Sequence, residues 1–212
     1  MDSNELNFPT GTIIHTKKPF MTLDELLGKI SHLNKHKESG GHTINNDKTI
    51  KMNDCGWSLP NKKVLDEISL FVGQDIVLEV AAGLGLWSLA MKLYPINVIT
   101  TSLMTTHHTI DHIEKVWTDI EIINAVDAIK KYSEQINCLF LSWGRGVLSD
   151  ILNHYKGNKL IIVCEYVINL GGSTDMLFEE DEKKYGFKLV NSFDVKGKYN
   201  FHDKICFYKR KS

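Results

Sequence analysis

A carboxylate and two glycines stand close together in Glu79-Val-Ala81-Ala-Gly83-Leu-Gly85, an E-x-x-x-G-x-G spacing. Glycine permits positive φ and leaves no Cβ between backbone and ligand, and a helix start offers unpaired N–H groups. Such a turn can cradle a nucleotide-like ligand; the plain alternative is a strand-to-helix turn that needed glycine. A dinucleotide fingerprint requires G-x-G-x-x-G and an acid about 20 residues further on. Here Ser88 holds the third position, and Thr100-Thr101-Ser102 ends the next apolar run with hydroxyls alone. Further along, Ser142, Trp143 and Arg145 close one apolar run and Glu165 closes another. Carboxyl ends of parallel strands line the ligand crevice, so these side chains are candidates to meet a substrate. His202 and Asp203 could supply a base, with an ordinary loop the equal alternative. His108 and His112 are spaced i and i+4, but no Glu lies between them and no third ligand is evident, so a polar helix around 105–116 is expected and no metal site.

The elements that must position these residues are legible from period and punctuation. Ile76–Val80 is a short apolar run of the kind buried on both faces of a parallel sheet. Leu86, Leu89, Ala90 and Leu93 then recur at helical spacing until Tyr94-Pro95 breaks the helix. Further strands are predicted over Val98–Thr101, Ile120–Ile123, Cys138–Trp143 and Lys159–Glu165, with an antiparallel pair over Phe187–Val195 and Lys204–Tyr208. Short helices are expected over Ser149–Tyr155 and Met176–Lys184, the latter capped by Ser173 or Thr174. Ahead of this, residues 1–20 read as an irregular arm. Thr22 caps a helix carrying Leu23, Leu26, Leu27, Ile30 and Leu33, and Asn61 opens another carrying Val64, Leu65, Ile68 and Phe71. Trp57, just before that helix, reads as a packing anchor.

At 212 residues, with 42% hydrophobic and 24% charged content, the chain suits one globular unit with a real core. Residues 1–55 are expected to form an N-terminal arm and flanking helix, and residues 56–212 the main domain. Lys+Arg 25 against Asp+Glu 26 gives a net charge of −1, so bulk charge carries no strong nucleic-acid signal. No stretch approaches the roughly 20 apolar residues of a membrane span. The first residues lack a secretory pattern, and Cys55, Cys138, Cys164 and Cys206 form no C-x-x-C pair. Reduced, buried thiols and a cytoplasmic location are expected.

Taken together, W-S-L-P at 57–60, L-E-V-A-A-G-L-G-L-W at 78–87, L-F-L-S-W at 139–143, G-G-S-T-D at 171–175 and H-D-K-I-C-F-Y-K-R at 202–210 carry a family likeness. The chain resembles a little-characterised family of class I methyltransferase-like proteins, whose motif I the stretch at Glu79 matches. The resemblance implies an α/β fold: a Rossmann-like three-layer αβα sandwich on seven strands, mostly parallel, with an antiparallel C-terminal hairpin. It also implies S-adenosyl-L-methionine as cofactor and methyl transfer as activity. Glu79, Ala81, Gly83 and Gly85 would hold the methionine end, Thr101 would take the place of the acid that meets the ribose, and Asp127 would meet the adenine. Asp127 could equally be the N-cap of the helix that follows it. Trp87 and Trp57 could cover cofactor or substrate, while Ser142, Trp143 and Glu165 line the acceptor side. The acceptor stays open among a small molecule, a nucleotide and a macromolecule. Two departures stand out: hydroxyls replace the acid after the second strand, and Trp143-Gly-Arg-Gly146 stands where relatives carry W-P-P-Y. They leave open a protein of the same fold that binds the cofactor, a nucleotide or a partner without catalysing. An NAD-dependent oxidoreductase shares the topology but lacks support from the missing third glycine and acid.

Overall fold

A computed structural model describes residues 8–35, 58–103, 114–144, 146–165, 177, 179–196 and 202–211. Trp57, Arg145, the 105–113 stretch with its three histidines, and the 171–175 glycine turn lie outside them. In chain order the elements are β1 (Ile13–Ile14), α1 (Leu23–Lys35), α2 (Lys62–Val72), β2 (Val77–Val80), α3 (Leu86–Leu93), β3 (Val98–Ser102) and β4 (Ile120–Ile122). There follow α4 (Ala125–Tyr132), β5 (Cys138–Ser142), α5 (Leu148–Leu152), β6 (Lys159–Glu165), α6 (Glu179–Tyr185), β7 (Phe187–Lys196) and β8 (His202–Arg210).

The strands form one sheet in the order β1-β4-β3-β2-β5-β6-β8-β7. Strands β4, β3, β2, β5 and β6 are mutually parallel, and β8 runs antiparallel to both β6 and β7. The expected Rossmann-like α/β sheet with an antiparallel C-terminal hairpin is therefore the fold observed. An eighth strand is added to the seven expected, because part of the arm is not irregular. Ile13 and Ile14 pair antiparallel with Glu121 and Ile120, and Gly11 N–H donates to the Ile122 carbonyl at 2.7 Å. The open edge of β4 supplies the unpaired backbone groups that order this segment.

Alternation along the central strands divides the core in two. Val77, Phe140, Ile161, Val163, Ile205 and Phe207 face α1, α2 and α3, while Leu78, Val80, Leu139, Leu141, Ile162 and Tyr208 face α4, α5 and α6. Both faces being covered explains why β2 is buried along its whole length. The flanking helix α1 belongs to this packing, since Leu26 and Ile30 are buried in the same cluster as β2 and α3. Its start is a capping box: Thr22 N–H donates to Glu25 Oε2 at 2.7 Å, and Glu25 N–H donates to Thr22 Oγ1 at 3.3 Å. Asn61 caps α2 by accepting from Val64 N–H at 3.0 Å. Cys138, Cys164 and Cys206 are buried and form no disulfide, as expected of structural thiols.

Candidate functional site

The strand order reverses between β2 and β5, so the ligand crevice lies beyond their carboxyl ends. Both strands end there in a left-handed residue that is not glycine: Ala81 and Trp143 each have φ 54°. A left-handed backbone with a Cβ costs about 1–2 kcal/mol, and such strain gathers where a site fixes the backbone. After Ala81 the turn closes with Gly85 N–H donating to the Ala82 carbonyl at 2.9 Å, and Gly85 starts α3 without a side-chain cap. The two glycines serve different needs. Gly83, φ 57°, has open space where a Cβ would stand, whereas a Cβ on Gly85, φ 78°, would meet Thr118 Cγ2 at 3.0 Å. Gly83 thus leaves the crevice open, and Gly85 lets the loop before β4 press against the turn.

Glu79 lies under this turn, 1% exposed. Its Oε2 accepts from the Ser88 hydroxyl on α3, and burial pushes the carboxyl up to about 7 against the lowering effects of Ser88 and Lys92. Lys92, one helical turn beyond Ser88, donates to Thr100 Oγ1 at 3.1 Å and Thr118 Oγ1 at 2.9 Å. Burial pulls its ammonium below the usual lysine range, and Glu79 pulls it back up. Glu79, Ser88, Lys92, Thr100 and Thr118 are one polar cluster between α3 and the sheet. Ser88 and Lys92 were missed from the sequence, although they are the two polar residues, at i and i+4, of an otherwise apolar helix.

The acceptor-side residues share a face with Glu79. Ser142 ends β5 opposite Val163, and Glu165 ends β6 directly opposite Asp203 at the start of β8. Ser142 Oγ is 3.1 Å from Ser58 Oγ, which accepts from Trp87 Nε1 at 3.1 Å. Trp143 reaches across β6, its Nε1–H donating to Asp203 Oδ2 at 2.9 Å. Asp203 is completely buried; burial pushes it up to about 7, the Trp143 bond lowers it and Glu165 raises it further. It belongs to a strand, not to the loop weighed as the alternative. Ser142, Trp143, Glu165 and Asp203 therefore come together along one edge of the crevice.

Other expectations are corrected. Thr101 is 1% exposed and donates its hydroxyl to the Glu79 carbonyl at 2.9 Å, so it braces β2 and offers nothing to a ribose. Trp87 is buried against Phe140 with ring centroids 5.4 Å apart, and so does not cover the crevice. It reaches the site only through Ser58. Asp127 is not the N-cap of α4: Asn124 is, accepting from Asp127 N–H at 2.9 Å, because its extended backbone precedes the first turn. Asp127 is left exposed beyond β4. At Gly144 a Cβ would stand 2.3–2.6 Å from three Leu141 side-chain atoms, so a larger residue there would force Leu141 to shift. Among the described residues no group of three or more His, Cys, Asp and Glu is placed to hold a metal, and no helix is long and apolar enough to cross a membrane.

Counted from β2, the strand order is 3-2-1-4-5-7-6, the dinucleotide-binding order 3-2-1-4-5-6 with a reversed strand inserted before its last member. A proposed RNA methyltransferase from Pyrococcus horikoshii is similar over 78% of this chain and 92% of that one, with TM-score 0.51 and 10% identity. The fold is that of the class I S-adenosylmethionine methyltransferases. A proposed S-adenosylmethionine-dependent methyltransferase from Listeria monocytogenes gives TM-score 0.47 at 12% identity, over 71% of this chain and 97% of that one. A glycopeptide N-methyltransferase solved with S-adenosylmethionine gives 0.46 at 11%, over 71% and 87%. No protein-family model matches the chain, and no curated protein does. At these identities the likeness is one of fold.

Proposed function

We propose that the chain is a class I methyltransferase that binds S-adenosylmethionine at the glycine turn after β2. The observation that carries this reading is Gly83, whose left-handed backbone faces open space at the switch point of the sheet beside the uncapped start of α3. The residues fit the cofactor in two of three places. The Ala81–Gly85 backbone is free to approach its methionine end and exposed Asp127 stands beyond β4 for the adenine, while Glu79, sealed beneath the turn and bonded to Ser88, braces it without direct contact. The end of β3 presents no carboxylate to the ribose, and Thr101 turns inward. When bound, S-adenosylmethionine supplies a methyl group already activated by its sulfonium, so the protein's task is alignment and proton acceptance. Ser142, fixed by Ser58 and through it by Trp87, is placed to orient an acceptor. Trp143, held by Asp203, forms the neighbouring wall, and Glu165 lines the acceptor side beyond it. Titration of S-adenosylhomocysteine into the full chain tests binding: a saturable 1:1 isotherm is expected, and none would overturn the reading.

One feature favours a second reading, binding without transfer. Gly144 is closed against Leu141, and Trp143-Gly-Arg-Gly146 stands where the family resemblance implies W-P-P-Y. Labelled methyl transfer into extracts holding protein, nucleic acid and small molecules separates the two: labelled product of any class excludes a purely binding role.

A further inference from the structure

Asp203 is in an unusual state for a buried carboxylate. Its Oδ2 accepts the Trp143 indole N–H at 2.9 Å, while its Oδ1 is buried with no hydrogen-bond partner. A buried acceptor left unpaired loses its hydration without replacement, and such groups are rare enough in native chains to need an explanation. A second carboxylate aggravates the cost. Glu165 stands directly opposite across the β6–β8 pair, and like charges so placed repel. On the other side β7 contributes apolar Val195, opposite Asp203. The indole N–H is the one donor that Trp143 has, and it fixes the carboxylate so that Oδ1 is the atom left to bond.

We propose that Asp203 and Glu165 form a cation-binding subsite of the methyl acceptor, taking a primary ammonium or a guanidinium group. This inference rests on reading the crevice as a methyltransferase site. A donor with positive charge satisfies Oδ1 and offsets the paired carboxylates at once. A phosphate or carboxylate would be repelled, so the acceptor class is a cationic, nitrogen-bearing molecule. Glu165 and Trp143, the neighbours of Asp203 across β6, are only partly buried. Strand β8 lies two strand spacings from β5, about 10 Å. The cation is therefore a handle distant from the atom to be methylated, and the subsite sets specificity.

The test is calorimetry on the full chain, free and loaded with S-adenosylhomocysteine, with n-butylamine, n-butylguanidine and n-butanol as probes. At least one cation is expected to bind about 10-fold or more tighter than the alcohol, the range of a charge-assisted hydrogen bond. Asp203→Asn keeps an acceptor for Trp143, so it should erase this preference, with n-butanol binding by the same variant as the reference for an intact crevice. Equal binding of cation and alcohol by the wild type would overturn the proposal, whether or not the variant folds. So would a preference that survives Asp203→Asn, or displacement of the amine by magnesium ions, which would mark a metal subsite instead. Loss of S-adenosylhomocysteine binding by the wild type is a separate result: it removes the methyltransferase reading, and the titrations on the free chain still decide whether the two carboxylates select a cation.

Discussion

Glu79 is sealed under the glycine turn with Ser88 as its hydrogen-bond donor, and burial favours its neutral form. Because its folded pKa lies above the unfolded value of 4.5, the protonated carboxyl contributes stability that is full below about pH 4.5. That contribution is lost as pH rises towards about 7, and Asp203 acts in the same direction over a window starting at 3.8. For Glu79 the loss is on the order of 3 kcal/mol. Urea titrations at pH 5 and pH 8 should therefore show a weaker wild type at the higher pH. Glu79→Gln, which keeps an acceptor for Ser88, should narrow that difference; an unchanged difference would show that Glu79 is ionised in the folded chain. The glycines make a second prediction at the same scale. Gly85→Ala combines left-handed strain with a Cβ 3.0 Å from Thr118, while Gly83→Ala carries the strain alone. Urea unfolding should place Gly83→Ala about 1 kcal/mol below wild type and Gly85→Ala roughly 1–3 kcal/mol lower still. Equal costs would mean that the loop before β4 does not press on the turn.

Among the elements, α1 has the least connection with the site in sequence, yet it packs against α3, which positions Ser88 and Lys92. Leu26 is fully buried in that contact, so Leu26→Ala should lower unfolding free energy by about 2–5 kcal/mol, measured by urea denaturation. A cost under about 1 kcal/mol would mean that α1 only rests on the surface. The elements themselves were readable beforehand where one signal sufficed. Apolar runs marked β2, β5 and β6, while Thr22 and Asn61 marked the helix starts by their capping chemistry. What could not be read depends on contacts distant in the chain. Ile13–Ile14 become a strand only because β4 has an open edge, and Thr101 turns inward only because β2 offers it the Glu79 carbonyl. The partnership of Trp143 with Asp203 joins residues 60 positions apart. The site was legible to the same degree: Glu79, Gly83 and Gly85 announced themselves by spacing, but the Ser58 link and the state of Asp203 needed the sheet register.

For the whole molecule, topology and cofactor reading converge on one place. The reversed strand β8 separates this sheet from the plain dinucleotide-binding order and brings Asp203 beside Glu165, while the switch point between β2 and β5 sets the glycine turn facing Ser142 and Trp143. Two strained residues, Ala81 and Trp143, end the strands on either side of that point. Calorimetric titration of the full chain with S-adenosylhomocysteine, run beside NAD, tests whether this crevice takes S-adenosylmethionine, as proposed. Saturable 1:1 binding of S-adenosylhomocysteine and none of NAD is expected; binding of NAD alone, or of neither, would overturn the proposal.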